Sequence, residues 1–452
     1  MKNIYTPNDY KDLETDSQMI QAAVDEAAKF GAAVVIPRYN ERRGECTWVL
    51  DETILLHSGS FVTLENCHIR LADNTYIRFF ENSSARADVE WYKKYTRQHD
   101  ITLIGTGGAL LDGGNHNGVF ESNFTVYDDN GKFVERINYL GLGGPFVNRG
   151  VQFRNVERVT VKGLHFVNQR YWAMCFEFCS FGQVSDIYFD AQNNVPNQDG
   201  IDIRVGCNNF LIENITGFVG DDTVALTNFG VNEETDMDVD IHDIIVKNIH
   251  SFETGRCDII RILNRGGPRV YNVQISNVVD LTPENGQKRP LAAIRIGDLN
   301  DYQYRLNEPG EVKNITVRDV ITRARFGVYV ANTLVDSVFD NIMMTADGGI
   351  GMYFNGCYLE NVYINKLLYG TTSNPPESDV GYTHAHHRVN VTRLSAINFN
   401  NSTAKNVNVE NLHAASALPY VFDGNSDVEI KARNITMQNS STRLAPDNIK
   451  LI

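Results

Sequence analysis

The stretch VTVKGLHF, residues 159–166, alternates apolar and polar side chains, and a stretch of the same kind, VEIKARNITM, lies far downstream at residues 428–437. Strict alternation is typical of a β-strand with one buried face. In both stretches a glycine or an asparagine directly precedes an aliphatic residue, as in Gly163-Leu164 and Asn434-Ile435. Glycine and asparagine tolerate the left-handed backbone conformation, so each pair marks a place where a strand can turn.

The same kind of signal, a small or polar residue directly before an aliphatic one, recurs along the chain. Its aliphatic member stands at positions 164, 187, 215, 249, 278, 320, 342, 367, 412 and 435. The shortest step is 22 residues (342 − 320), and the longer steps leave room for insertions. A fixed minimum with additions is typical of a solenoid whose coils carry loops. Because helical periodicity is almost absent between these strands, the pattern favours a parallel β-helix over strand–helix repeats, with asparagines able to stack in ladders at the turns.

A single amphipathic helix is predicted near the start, in DSQMIQAAVDEAAKFG, residues 16–31. Its apolar residues share one face, Asp16 or Ser17 can cap its start, and Gly31 can end it. The short strand AAVVIP follows. We therefore expect an all-β chain, a single-stranded right-handed parallel β-helix with an N-terminal capping helix that hides the first edge strand. We expect one domain over residues 1–452, with the cap region at 1–40 and coils over about 41–440.

Composition excludes several classes of function. The net charge of −15 argues against a nucleic-acid partner, and an acidic polysaccharide would need a locally basic cleft. No run of about 18 apolar residues is present, so a membrane partner is not expected. The N-terminus lacks an apolar signal region, and the seven cysteines form no CxxC pair. We expect buried thiols in a reducing compartment and a cytoplasmic protein, while the oligomeric state is left open.

Three aspartates are predicted to meet on neighbouring coils. Asp199 lies in NQDGID, and Asp221 and Asp222 lie in GDDTVAL, 22 residues (221 − 199) downstream for the first of the pair. Side chains one coil apart in a parallel solenoid stack about 4.8 Å apart. Carboxylates this close cannot all ionise freely, and an acid paired with a base is what cleavage of a glycosidic bond requires. Aspartate-rich turns or a calcium site would explain the same residues.

The two motifs resemble the Asn-Thr-Asp-Gly-Ile-Asp and Asp-Asp motifs of the polygalacturonase family, glycoside hydrolase family 28. The upstream stretch LIGTGGALLDGGNH, residues 103–116, looks like that family's Gly-Thr-Ile-Asp-Gly stretch. The resemblance covers about residues 15–330 and suggests a divergent member with the pectin-lyase-like β-helix. It implies a glycosidase that cleaves O-glycosidic bonds of a pectin-type or related poly- or oligosaccharide by inversion, with no metal or cofactor.

The resemblance also implies residue roles. Asp221 would be the general acid on the leaving oxygen, Asp199 and Asp222 would hold and activate the attacking water, and Asn197 would support the site from the substrate side. The family's Gly-His-Gly motif should fall in FETGRCDIIRI, where Arg256 or Cys257 occupies the histidine position.

The family's Arg-Ile-Lys motif appears as AIRIGD, in which Arg295 is kept and Gly297 takes the place of the lysine. Loss of the lysine removes one charge-assisted contact to a sugar carboxylate. Arg261 and Arg265 could compensate. The candidate substrate-binding residues are therefore Asn197, Arg256, Arg261 and Arg295, and both a uronic and a neutral sugar remain open.

Two other functions fit the same scaffold. A polysaccharide lyase would use a calcium-neutralised carboxylate, with Arg204 or Arg261 as the central base. A glycan-binding or tailspike-like module would use the β-helix as a scaffold alone. Tyr171-Trp172 could stack on a sugar ring or pack in the core. YTHAHHR, residues 382–388, is predicted to be a loop.

Overall fold

The computed structural model describes residues 2–452, apart from several segments. These are 86–89, 91, 119–124, 128–132, 137–148, 192–194, 233, 254–256, 284–288, 299–301, 304, 346–348, 371–382, 385–386, 389–393 and 416–417. Of the loop predicted at 382–388, residues 382, 385 and 386 lie outside the described residues, as does Arg256. The remaining four residues form two short antiparallel strands, Thr383–His384 and His387–Arg388. The chain forms two compact units, Met1–Asp221 with Asn232–Asp238, and Asp222–Val231 with Val239–Ile452. We call these unit 1 and unit 2; a single domain remains a prediction.

Unit 1 begins with helix α1, Asp16–Phe30. Its N-cap is Thr15, whose hydroxyl accepts the Gln18 N–H, so the prediction that Asp16 or Ser17 caps the helix is wrong. Those two side chains face the first coil instead: Asp16 accepts the N–H of Val49 at 2.8 Å, and Ser17 accepts that of Asp51 at 2.9 Å. Because the helix satisfies backbone donors at the edge of the coil, it acts as the predicted cap.

The helix ends as predicted. Gly31 adopts the left-handed conformation with φ of 61°, and its N–H donates to the carbonyl of Ala27. Among the described residues of unit 1, 3-10 helices also occur at Pro7–Tyr10, Ser83–Ala85 and Lys94–Thr96. Within the described part of the chain, no helix has the length and apolar character needed to cross a membrane.

Two short strand pairs are antiparallel, Thr125–Tyr127 with Phe133–Arg136 and Thr383–His384 with His387–Arg388. The other described strands of each unit form a right-handed parallel β-helix, as predicted. In unit 1 the strands are Ile4–Tyr5, Ala33–Ile36, Thr47–Leu50, Ile54–Leu56, Phe61–Glu65, His68–Leu71, Phe80–Asn82, Gln98–Thr106, Leu110–Asp112, Thr125–Tyr127, Phe133–Arg136, Val151–Arg154, Val156–Lys162, His165–Val167, Met174–Glu177, Ser180–Asp190, Ile201–Arg204 and Asn208–Val219. In unit 2 they are Val224–Asn228, Ile241–Glu253, Ile260–Asn264, Val270–Asp280, Ala292–Ile296, Val312–Thr322, Phe326–Val330, Leu334–Met344, Ile350–Asn355, Tyr358–Tyr369, Thr383–His384, His387–Arg388, Ser395–Asn400, Thr403–Glu410, His413–Ala414, Tyr420–Gly424, Val428–Arg433, Thr436–Met437 and Ile449–Leu451.

The repeat found in the sequence marks real bends in the strands. All ten residues that precede the aliphatic positions have positive φ, between 51° and 71°: Gly163, Asp186, Asn214, Asn248, Asn277, Asp319, Asn341, Lys366, Asn411 and Asn434. Their side chains form the predicted ladders. For example, the Asn277 amide donates to Asn248 at 2.9 Å, and that of Asn434 donates to Asn411 at 3.0 Å.

Each coil also contributes a short strand whose alternate side chains face away from the core. In unit 2 the core-facing residues Ile262, Ile296 and Val330 stack in register and are fully buried. Side chains alternate between the two faces along each strand, so Arg261, next to Ile262, and Arg295, next to Ile296, lie on the opposite face. These two arginines pair in register. This outer face of the short strands carries the charged residues of the candidate site.

Candidate active site

In unit 1, the coil that carries Asp199 lies directly against the coil that carries Asp221. The N–H of Gly220 donates to the carbonyl of Gln198 at 3.1 Å, and the N–H of Ala173 donates to the carbonyl of Asp199 at 2.9 Å. These are ladder contacts between adjacent rungs, about 4.8 Å apart. The predicted spacing of one coil between the two aspartates is therefore confirmed.

The two aspartates of unit 1 differ in access to solvent. Asp199 is 5% exposed, while Asp221 is half-buried. Asn197 adopts a left-handed conformation with φ of 59°, which asparagine tolerates better than most residues. The buried Gln198 side chain donates to the carbonyl of Gln169 at 2.6 Å and fixes this turn to the preceding coil. Asp221 is thus the more accessible carboxylate of unit 1's pair.

The aromatic pair beside Asp199 belongs to the core. Tyr171 and Trp172 are 3% and 7% exposed, and the guanidinium carbons of Arg149 and Arg204 lie 4.7 and 5.0 Å from the Trp172 ring centroid. Burial raises the pKa of Tyr171, and the nearby charge of Asp199 raises it further. Core packing, the second of the two interpretations of this pair, is therefore favoured over sugar stacking.

A cluster of cations surrounds Glu177 in unit 1. Its carboxylate accepts from Arg149 at 2.9 Å, from Arg154 at 2.7 Å and from Gln152 at 3.2 Å. Burial alone would raise the pKa of Glu177, but Arg149, Arg154 and Arg204 outweigh burial and hold this pKa well below its usual range. We call these residues the Glu177 cluster.

In unit 2, two donors hold the carboxylate of Asp222, which is 2% exposed. Its Oδ1 accepts the backbone N–H of Asp258 at 2.9 Å, and its Oδ2 accepts from Nη1 of Arg261 at 3.3 Å. One donor is part of the backbone of the next coil, and the other is a side chain. The position of Asp222 therefore depends on where Arg261 is held.

Arg261 and its neighbour Arg295 share one counter-ion. Nη2 of each arginine donates to the carboxylate of Asp298. Arg295 also lies 3.5 Å from Oδ2 of Asp258, whose Oδ1 accepts the N–H of Ala292 at 3.0 Å. We call Asp222, Asp258, Arg261, Arg295 and Asp298 the aspartate–arginine network.

The network carries three carboxylates and two guanidiniums, so it has a formal charge of −1 when all of them are ionised. Burying a net charge is costly, and protonating one aspartate removes it. Burial raises the pKa of Asp258 to about 7; Arg295 opposes this shift and Asp222 adds to it. The network is therefore neutral when Asp258 is protonated and gains its negative charge as the pH rises through neutrality.

The sequence predicted Asp222, Arg261 and Arg295 but not the other two aspartates of the network. Asp258 and Asp298 were missed, although each stands out in its motif: Asp258 is the one acidic residue of the run CDIIRI, and Asp298 follows Arg295 by three residues. Only the structure shows that Arg261 and Arg295 both form ion pairs with carboxylates of the protein. Arg256, the third predicted arginine, lies outside the described residues.

The fold and these carboxylates together define a parallel β-helix with an acidic candidate site. Comparison with protein families adds a second finding: residues 46–236 match the model described as glycosyl hydrolases family 28. This segment contains Asn197 and all three predicted catalytic aspartates. The resemblance to glycoside hydrolase family 28 is thus confirmed over these residues, which carry the NQDGID and GDDTVAL motifs, while FETGRCDIIRI and AIRIGD lie beyond them.

Three solved structures illustrate what the chain is similar to. A mutant tailspike protein of E. coli bacteriophage HK620, in complex with a hexasaccharide, is 11% identical with a TM-score of 0.56, over 99% of this chain and 80% of that one. A family 28 exopolygalacturonase of Yersinia enterocolitica is 14% identical with a TM-score of 0.47, over 100% and 78%. The A-module of an Azotobacter vinelandii mannuronan C-5 epimerase is 11% identical with a TM-score of 0.49, over 99% and 100%.

Of these three likenesses, that to the tailspike protein has a TM-score above 0.5, and at 11% identity it shows the fold alone. No curated protein matches the chain.

Proposed function

We propose that the protein is a glycosidase that cleaves O-glycosidic bonds of a pectin-type or related poly- or oligosaccharide by an inverting acid/base mechanism. The observation that carries the proposal is the pairing of the coils of Asp199 and Asp221, inside the segment that matches the family. Acid and base carboxylates on a sugar-binding surface are the equipment for this reaction. Its partner is therefore a carbohydrate, and we propose a cytoplasmic location from the composition.

The surroundings of each aspartate support a division of roles. Asp221 is the most exposed of the three, which suits a general acid that must reach the leaving oxygen. Both oxygens of Asp222 accept hydrogen bonds from N–H donors, and an ionised carboxylate is an acceptor only. Asp222 therefore suits the part of a base, and Asp199 is proposed to share with it the positioning of the attacking water.

The substrate is held by other groups than the two predicted arginines of unit 2. Arg261 and Arg295 donate to carboxylates of the protein, which leaves recognition of the sugar to residues such as Asn197 and, in the segment outside the described residues, Arg256. Polygalacturonase activity in particular is the finer form of the proposal. A neutral relative of pectin is the alternative substrate.

The contacts of Arg261 argue against this residue as the base of the lyase alternative, for which Arg204 was the other candidate. A lyase base must give up its own proton before it can take one from the sugar. Burial works against the charge of Arg261, but the carboxylates of Asp222 and Asp298 outweigh burial and raise the pKa of this arginine. Arg261 therefore stays protonated and cannot serve as that base.

A panel of plant and bacterial oligosaccharides, with and without uronic acids, tests the proposal against the wild type and Asp221→Asn. Loss of the general acid is expected to lower turnover about 1,000-fold, with the circular dichroism spectrum unchanged. Asp186→Asn is the matched control, because Asp186 lies on an outer bend where it accepts from Asn214 at 2.9 Å. Unchanged turnover in Asp221→Asn would exclude this residue as the acid. Binding of a glycan without cleavage would instead identify a binding module.

A further inference from the structure

We propose that Arg261 is a positioning residue that fixes the carboxylate of Asp222, and that Asp298 and Asp258 complete the seat in which this carboxylate is held. The inference rests on the proposed function, because it takes Asp222 to be one of the reacting carboxylates. It assigns to Arg261 a contact with an enzyme carboxylate in place of the sugar contact predicted from the sequence.

The two donors to Asp222 differ in how they are fixed. The N–H of Asp258 is held by the ladder of unit 2, where Thr223 donates to the carbonyl of Asp258 at 3.3 Å and Val224 donates to that of Ile259 at 3.1 Å. The second donor lies at the end of a long, rotatable side chain. It can fix Asp222 only if the guanidinium of Arg261 is itself anchored.

Two contacts anchor that guanidinium. Asp298 accepts from its Nη2, and the ring of Tyr302 lies 5.1 Å from its central carbon. Its strand is held from the other face by the fully buried Ile260 and Ile262. The planar fork of an arginine can reach two carboxylates at once, as here, whereas a lysine presents a single point charge.

Asp298 is fixed in its turn. Its N–H donates to Oε1 of Gln303, and Nε2 of Gln303 donates to the carbonyl of Asn264 and to Asn307 at 2.7 Å. Asp298 also accepts from Arg295, which is 2% exposed. A continuous set of buried contacts therefore runs from Gln303 through Asp298 and Arg261 to Asp222.

These contacts exclude a free, sugar-binding Arg261. Its side chain is 13% exposed, and its two terminal nitrogens are both directed at carboxylates of the protein. A sugar carboxylate would have to displace Asp222 or Asp298 from the guanidinium. The kinetic signature of Arg261 should therefore be that of a group acting on the chemical step through Asp222.

The pKa of Asp258 depends on the charged groups that hold Asp222. The charged groups that face it are Asp222 and Asp298, which are acidic, and Arg261 and Arg295, which are basic; the phenol of Tyr329 is close enough to feel its charge. Removal of Arg261 would leave three carboxylates with one guanidinium. Asp258 should then hold its proton to a higher pH.

The first test uses the protein alone, so its outcome is independent of any activity. Carbon-13 NMR of protein labelled at the aspartate carboxyls should show a group that titrates near pH 7 and is absent from Asp258→Asn. Arg261→Met should shift this titration upward by about one pH unit or more. Arg269→Met is the matched control, since Arg269 pairs with Asp240 at 2.6 Å elsewhere in unit 2. An unshifted titration in Arg261→Met would overturn the proposed seat.

The second test separates positioning from sugar binding, with trigalacturonate as the substrate. Arg261→Met should lower kcat about 100-fold with KM within about threefold, and Arg261→Lys should restore little of it. A raised KM with unchanged kcat would show that Arg261 binds the sugar and would overturn the inference.

If Arg261→Met does not fold, Asp298→Asn serves in its place, because it removes the anchor of Arg261 and leaves the pair with Asp222. It should lower kcat with KM unchanged, and an unchanged kcat would contradict the inference. Failure of the proposed function gives a different result: the wild type would leave trigalacturonate and the whole oligosaccharide panel uncleaved, while the NMR titration still reports on the network.

Discussion

The Glu177 cluster of unit 1 and the aspartate–arginine network of unit 2 hold arginines and carboxylates in opposite proportions. In unit 1 one carboxylate, Glu177, accepts from two arginines and lies within charge reach of a third. In unit 2 three aspartates surround two arginines. Both clusters lie on the outer face of short strands, so fold position does not distinguish them.

Their protonation behaviour differs in direction. The cations around Glu177 hold its pKa well below the usual range, whereas burial and the neighbouring aspartates raise the pKa of Asp258 to about 7. Because both carboxyls are buried, burial alone cannot explain the difference. The number of cations for each carboxylate decides whether its pKa is raised or lowered.

The comparison separates a structural cluster from a responsive one. The Glu177 cluster stays ionised throughout the physiological range, so it can hold coils together but cannot change state. The aspartate–arginine network changes its charge near neutrality and includes Asp222. The second cluster is therefore the one suited to influence catalysis.

The largest expected effect is on stability. Glu177→Gln would leave the guanidiniums of Arg149 and Arg154 buried without their counter-ion, at a cost of about 3–5 kcal/mol in the free energy of unfolding. Asp258→Asn is the matched change in unit 2, where a neutral amide relieves an excess of carboxylates. At pH 8 its free energy of unfolding should be close to that of the wild type.

Thermal and urea unfolding of the two variants at pH 8 measures this contrast. Equal losses in both would show that the ratio of cations to carboxylates does not set the energetics of these clusters.

A smaller effect is expected from pH. The folded state holds the Asp258 proton up to about pH 7, while an unfolded aspartate loses it near pH 4. Between these values the folded state binds more protons, so this group's contribution to stability falls as the pH rises from about 4 to about 7 and is level above that. The variant Asp258→Asn lacks this pH-dependent contribution to stability.

The stability of Asp258→Asn relative to the wild type should therefore increase from pH 5 to pH 8. Urea unfolding of both proteins across this range measures the difference. A difference that stays constant with pH would mean that Asp258 does not titrate as described, and the contrast between the two units would fail.

The bends of the β-helix could be predicted from sequence because backbone geometry demands a few residue types. Left-handed positions such as Asn248 and Asn277 accept asparagine, aspartate or glycine at little cost, so the repeat is visible in the letters. A second bend lies five residues earlier in many of the long strands, and some of these bends carry the same signal of asparagine before an aliphatic residue, at Asn272, Asn314, Asn361 and Asn406. This second series was predictable but missed.

The candidate site could be predicted only in part. Asp199 and Asp221 were found because one minimal coil separates them, with no insertion between. The ion pairs of Arg261 were not predicted, because its partners Asp222 and Asp298 lie 39 residues before and 37 residues after it, across coils lengthened by loops of unrelated size. Local sequence therefore predicts which residues face the outer side of a coil but not which of them form ion pairs with one another.

The stereochemistry of the first product tests the account most directly. Proton NMR of a cleaved oligosaccharide, recorded within seconds of adding enzyme, distinguishes the two anomers before they interconvert. The account predicts that wild-type protein releases the inverted anomer first and that Asp221→Asn releases neither at a measurable rate. First appearance of the retained anomer, or of an unsaturated product that absorbs in the ultraviolet, would contradict it.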